Sequence, residues 1–262
     1  MASKLSSDKA PTLSEKEKIR YSRQVMIFGE EGQKKLKSSR VVVVGVGGLG
    51  SASSIYLAAA GVGKLIIVDK DVVQLDNLNR QILHWTRDIG RPKVRSAVEK
   101  LRELNPEIDV EGVVLEVNED TIYDIIREAD VVVDGLDNWS TRIVVNKACV
   151  ELRKPFVHAG VHGLYGQLTV VIPYKSPCLQ CIVPAAAIKP RSGIFPVLGT
   201  TPAILAALQA QETIKLITGY GKPLVGKLLI FDGTTTTFTT IEMHRRNDCP
   251  VCGKPLQQGS KN

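Results

Sequence analysis

The sequence predicts an α/β fold: a Rossmann-like, doubly wound sheet, mainly parallel, continued by antiparallel strands and carrying a structural zinc site. Three observations predict it. Val41-Val42-Val43-Val44 is an unbroken β-branched run, the texture of a strand buried on both faces. Strand-like runs then alternate with helical segments of about ten to fifteen residues, as parallel strands joined by crossover helices require. Finally, Cys178/Cys181 and Cys249/Cys252 form two C-x-x-C pairs far apart in the chain. Four thiolates brought together would close a tetrahedral metal site, the zinc reading. Disulfides, or unrelated small core residues, are the alternatives that the spacing leaves open.

Taken in order, residues 1–14 read as a polar, disordered leader, and Glu15–Lys37 as a helical region interrupted at Gly29 and Gly32. The Val41–Val44 strand leads through Gly45-Val46-Gly47-Gly48-Leu49-Gly50 into an Ala-rich helix that Gly61 and Gly63 end. Leu65–Asp69 is the second strand. A helix from about Pro92 to Leu104 stops before Asn105-Pro106, and a strand follows at Val110–Leu115. A helix near Asn118–Glu128 and a strand at Val131–Asp134 complete the parallel part. Beyond Lys154, FVHAG, GQLTVVIP, KLLIFDG and TTFTTIEM have the spacing of antiparallel strands, with a long helix at Thr201–Thr218. The expected organisation is one domain over 15–253, with a nucleotide-binding part at about 38–154, a later part at about 155–253 and a flexible tail at 254–262.

Composition narrows the partners. Lys plus Arg number 34 against 27 Asp plus Glu, a formal charge of +7. With aromatics at 5% and no long basic run, this suits anionic nucleotides or an acidic protein better than nucleic acid. No segment reads as a signal peptide or a membrane span, so a soluble, cytoplasmic protein is expected.

Gly45, Gly47 and Gly50 satisfy G-x-G-x-x-G between a strand and a helix, where close backbone approach and the helix N-terminus favour phosphate. Asp69, ending the next strand, stands where an acid binds a ribose hydroxyl. Alone these describe a dehydrogenase as well. The following residues argue against one. Asp69, Asp71, Asp76, Asn77, Leu78, Asn79, Arg80 and Gln81 crowd the second strand's tip, Lys93 opens a helix, and Asp137 and Asn138 follow a third strand. Such positions lie at the carboxyl ends of strands, where doubly wound sheets bind ligands. A triphosphate undergoing chemistry needs cations, here Arg80 and Lys93, and a carboxylate for Mg²⁺, here Asp137. Asp137 as a helix cap is the bland alternative.

RYSRQ, GVGGLGS, DKDVVQLDNLNRQ, GRPKV, DGLDN, LQAQETIK and both cysteine pairs together resemble the ubiquitin-activating-enzyme-like adenylyltransferases, in their small prokaryotic branch. The likeness runs from about Tyr21 to Gly253. It implies that ATP and Mg²⁺ serve the reaction and Zn²⁺ the structure, the four paired cysteines holding the zinc. It implies that Gly47 and Gly48 approach the phosphates, that Asp69 binds ribose, and that Asp71 and Asp76–Gln81 contact the nucleotide. Lys93 then grips phosphate, Asp137 and Asn138 handle Mg²⁺ and substrate, and Arg23 reaches into the partner subunit of a homodimer. The implied substrate is a ubiquitin-fold sulfur carrier ending in Gly-Gly, with a sulfurtransferase or cysteine desulfurase as a further partner. The carrier would serve molybdopterin or thiamine cofactor synthesis, tRNA thiolation or protein conjugation. Ser192 stands where several relatives carry a covalent cysteine, so adenylation alone is expected. The competing readings are an NAD-dependent oxidoreductase, an inactive scaffold and an adenylating enzyme for a tRNA nucleoside.

Overall fold

The computed structural model describes residues 11–183 and 195–253. Helix α1 (Glu15–Arg20) and helix α2 (Ser22–Ser38) lead into strand β1 (Arg40–Val44). Then come α3 (Gly48–Ala60), β2 (Lys64–Asp69), α4 (Lys93–Leu104), β3 (Asp109–Val114), α5 (Ile122–Ile126), β4 (Val131–Asp134), α6 (Trp139–Glu151) and β5 (Phe156–His162). The chain continues through β6 (Tyr165–Val171), α7 (Leu179–Ile182), α8 (Thr200–Thr218), β7 (Lys227–Asp232) and β8 (Thr237–Glu242).

The eight strands form one sheet in the order β3-β2-β1-β4-β5-β6-β7-β8. The first five are parallel, so Phe156–His162, expected among the antiparallel strands, also joins the parallel part by pairing with β4, while β6, β7 and β8 run antiparallel to their neighbours. Alternation explains the three layers. Val41 and Val43 face a core with Leu57, Leu101 and Ala210 from α3, α4 and α8. Val42 and Val44, one residue out of phase, face α5 and α6 through Ile122, Val145 and Cys149. With both faces covered, β1 and β4 read as continuous valine runs. At the antiparallel end, α8 covers one face through Leu205 and Ala206, and every residue of β8 is exposed.

Two further expectations, and the alternative reading of Asp137 as a helix cap, differ in detail. Only Gly29 (φ +74°) breaks the early helical region besides the break at Tyr21, because Gly32 keeps helical backbone and is buried within α2. The helix expected near 118–128 shortens to α5, since Asn118 accepts from the N–H groups of Asp120 and Thr121 and forms a turn first. Asn138, not Asp137, caps α6: its Oδ1 accepts from the Thr141 N–H at 2.9 Å.

Candidate functional site

The strand order reverses between β1 and β4, and a cleft opens there, at the carboxyl ends of the strands. Glycines allow β1, α3 and β4 to meet. A Cβ on Gly50 would stand 1.9 Å from the Gly45 carbonyl oxygen, and one on Gly135 only 2.1 Å from it. The loop is clamped on both sides of Val46. Its N–H donates to Asp69 Oδ2 at 2.8 Å, while Asp69 Oδ1 accepts the Asp71 N–H at 2.8 Å. Burial pushes the Asp69 carboxyl above its ordinary pKa, and these two N–H donors oppose that rise.

The Val46 carbonyl is held from below. It accepts from Ser51 Oγ at 3.0 Å and contacts His84 Nε2 at 3.1 Å. A carbonyl only accepts, so Nε2 carries the hydrogen and Nδ1 accepts from Ser96 Oγ at 2.9 Å. Lys100 donates to that hydroxyl at 2.8 Å and to the buried Asp88 at 2.5 Å. Burial lowers the His84 pKa to about 4, so this histidine is neutral, a structural strut under the loop.

The cleft, of about 360 Å³, is lined by Gly47, Gly48, Asp69, Asp71, Asp76, Arg80, Gln81, Lys93, Asp137 and Asn138, all singled out from the sequence. Lys93 is 6% exposed and donates to Asp71 Oδ2 at 3.1 Å. Arg80 donates to the Asp76 carbonyl at 2.8 Å and to Asn79 Oδ1 at 3.1 Å. Gln81 is buried, and its Oε1 has no partner among the described residues. Asp137 is exposed in the cleft and pairs with no cation among them. Asn77, Leu78, Asn79 and Arg23 do not line the cleft. Asn77 is buried and accepts the Gln74 N–H, shaping the turn that presents Arg80. Arg23 lies exposed in the first turn of α2.

Beneath the Asp137 loop lies a polar network that motif reading did not find. Asp134, at the end of β4, accepts from Arg142 Nε at 3.0 Å, His158 Nδ1 at 2.6 Å and the Leu136 N–H at 2.9 Å. Arg142 Nη2 donates to the Ala159 carbonyl at 3.1 Å and also to the Leu136 carbonyl. Burial keeps the His158 pKa below its ordinary value, and its Nε2 accepts from Gln167 at 3.2 Å. The available signal was Arg142 itself, a cation on the same α6 face as Val145 and Cys149.

A second cleft, of about 510 Å³, adjoins the first, and both are lined by Asp137, Asn138, Arg142, Val161 and Phe195. It adds Trp139, Tyr165 and His162, whose ring stacks on Phe195 at 6.2 Å. His162 thus sits in a cleft and not in the core, unlike His84 and His158. Ser192 lies outside the described residues. Cys149 is fully buried in α6, and burial raises its thiol pKa strongly.

Away from the clefts, the Sγ atoms of Cys178, Cys181, Cys249 and Cys252 all lie within 4.8 Å of one another. The Cys178–Cys249 and Cys181–Cys252 separations are 3.6 and 3.3 Å, too long for S–S bonds of about 2.05 Å. A tetrahedron with Zn–S bonds of about 2.3 Å has edges near 3.8 Å, so the thiol set could hold a metal ion. Burial pushes the Cys178 and Cys252 thiols up. Burial acts on Cys249 too, but the N–H groups of Cys252 and Val251, together with the Cys181 and Cys178 side chains, outweigh it and hold that thiol below its ordinary range.

Comparison with known proteins gives consistent neighbours. The sequence profile of the ThiF family matches residues 21–251. The chain is 44% identical over 236 residues to the heterocyst HesA protein of Trichormus variabilis, covering 89% of this chain and 88% of that one. It is 42% identical over 243 residues to the SAMP-activating enzyme E1 of Haloferax volcanii, covering 90% and 88%. It is also 42% identical over 241 residues to adenylyltransferase and sulfurtransferase MOCS3-1 of Zea mays, covering 90% of this chain but 52% of that one. Among solved structures, E. coli MccB with ATP matches with a TM-score of 0.80 at 29% identity, over 90% of this chain and 75% of MccB. Among the described residues, no helix is long and apolar enough to cross a membrane.

Proposed function

From the premise that this chain belongs to the ThiF family and is an adenylyltransferase, we propose that it adenylates the C-terminal Gly-Gly carboxylate of a ubiquitin-fold sulfur carrier. The observation that carries this reading is the convergence of Arg80, Lys93 and Asp137 around the glycine loop, with a second cleft opening onto the same point. The first cleft suits ATP and the second an extended peptide tail.

The chemistry asks little of acids and bases. A terminal carboxylate is ionised at neutral pH and attacks the α-phosphorus directly, expelling pyrophosphate and leaving an acyl-adenylate. Positioning and charge stabilisation then supply the catalysis. Gly47 and Gly48 leave room for phosphate at the N-terminus of α3, and Asp69 is placed for the ribose. Lys93 and Arg80 face the phosphates. Asp137, a cleft carboxylate without a cation partner, would hold Mg²⁺, which when bound supplies neutralisation of phosphate charge. The acyl-adenylate is activated toward a sulfur nucleophile from a sulfurtransferase or desulfurase. The names of the two enzyme relatives, an activating enzyme E1 and an adenylyltransferase and sulfurtransferase, support this direction.

We further infer a homodimer in which Arg23 completes the partner's cleft. Arg23 lies outside its own chain's cleft, and exposed Ile19, Met26 and Ile27 flank it (76%, 83% and 58% exposed). Apolar side chains this open on α1 and α2 suit burial against a second copy. The four-cysteine cluster is read as a structural Zn²⁺ site, since four thiolates leave no position for water.

The test is incubation with ATP and each candidate Gly-Gly-ended carrier, scored by mass spectrometry for an AMP adduct. An adduct with a carrier is expected. Adduct formation with none, by a protein that binds ATP, would overturn the substrate assignment.

A further inference from the structure

Resting on that reading, we propose that Arg142 is a substrate-binding residue: its Nη1 receives the terminal carboxylate of the carrier where the two clefts meet. The guanidinium is fixed by its other nitrogens. Nε is taken by Asp134, and Nη2 by the carbonyls of Leu136 and Ala159. Among the described residues, Nη1 has no acceptor. It lies 3.7 Å from the place a Cβ would take on Gly160, a residue that lines the second cleft. Gly160 therefore leaves open a path to Nη1 that a side chain would narrow.

The other cations serve a different end of the site. Lys93 is paired with Asp71, and Arg80 with the Asp76–Asn79 turn, both in the first cleft only. Among the described residues lining the second cleft, Arg142 is the one Lys or Arg side chain, and it also lines the first. A carboxylate arriving through the second cleft gives up water and needs a donor in its place. Arg142 is that donor, and its buried ion pair and two carbonyl bonds hold the fork in place before the substrate arrives. Arg142 donates to the Leu136 carbonyl and Asp134 accepts the Leu136 N–H, which ties the position of Arg142 to that of the Asp137 loop.

A charged hydrogen bond of this kind corresponds to roughly tenfold or more in affinity. The experiment uses the full-length protein and the carrier that yields the AMP adduct, prepared with its natural carboxylate and with an amidated C-terminus. Wild type should bind the carboxylate form at least about tenfold more tightly than the amide. Arg142→Lys, which keeps the charge but not the fork, and Gly160→Ala, which leaves the ion pair intact, should both shrink that ratio toward one. Both should raise the KM for carrier while the KM for ATP stays constant. A merely structural role would weaken both carrier forms alike. Gly160→Ala keeps the test decisive if Arg142→Lys fails to fold. A wild-type ratio retained in either folded variant would overturn the role of Arg142 while the adenylation reading stands. Adduct formation with no carrier at all would remove that reading, and this inference with it.

Discussion

At the scale of single residues, the cleft separates groups left open to a ligand from groups that hold the backbone. Asp137 belongs to the first kind: exposed, without a cation partner among the described residues, and beside both clefts. Asp137→Ala should reduce carrier-dependent ATP–pyrophosphate exchange by about 3 kcal/mol of transition-state stabilisation, on the scale of losing one preorganised group. Because the side chain supports no packing, thermal stability should stay at the wild-type level. Near-wild-type exchange would exclude it from the chemistry. His84 belongs to the second kind. Its folded pKa is about 4 against an ordinary 6.5, so an unfolded chain takes up the proton first as pH falls. Its contribution is complete above pH 6.5 and is lost as pH drops from 6.5 toward 4, by roughly 3 kcal/mol. Urea unfolding at pH 7 and pH 5 should show a smaller pH dependence for His84→Gln than for wild type. Equal slopes would mean that the strut under Val46 is not what titrates.

Elements matter here through where they end. Strand β1, helix α3 and strand β4 meet at Gly45, Gly50 and Gly135, and the first cleft is the space beyond that meeting. In Gly50→Ala the new methyl would meet the Gly45 carbonyl at 1.9 Å, a backbone atom that cannot rotate away. The loop or α3 must shift, which should destabilise the protein by about 3 kcal/mol and weaken ATP binding together. Circular dichroism melting with ATP titration tests this, and an unaltered melting temperature would show that the junction is looser than its geometry. Helix α6 has the same logic. Asn138 caps it, and Arg142 on its first turns ties it to β4 and β5, so one element carries both the Asp137 loop and a wall of the second cleft.

For the whole molecule, two long-range connections define what holds the site together. The cysteine cluster joins the segment after β6 to the segment after β8, packed over α6 through Cys149, Cys178 and Leu179. Removal of metal by a chelator should lower the melting temperature sharply, and elemental analysis of protein purified without chelator should find one zinc per chain. Protein free of metal yet equally stable would make the cluster an ordinary set of buried thiols. The second connection, on the proposed homodimer, would be between copies. Mixing inactive Arg23→Ala with inactive Asp137→Ala should restore partial exchange activity after subunits swap, because one cleft of the heterodimer then holds both groups. No recovery after confirmed subunit exchange would leave Arg23 without a role across the interface.

What the sequence by itself determined was the part written in local pattern. The valine runs, the glycine loop and the strand-end positions of Asp69, Arg80, Lys93 and Asp137 are short-range features, and each follows from burial on two faces or from turn chemistry. The paired cysteines were legible for the same reason, since C-x-x-C is local even when its partner pair is not. The tertiary structure decided the rest. Whether Asn138 or Asp137 caps α6 depended on backbone direction at one peptide. That Arg142 meets Asp134 and His158 depended on β4, α6 and β5 being brought side by side. That His162 enters a cleft while His158 is buried depended on where β5 leaves the covered part of the sheet. A buried polar network has no period and no motif, because its members need only be complementary in space.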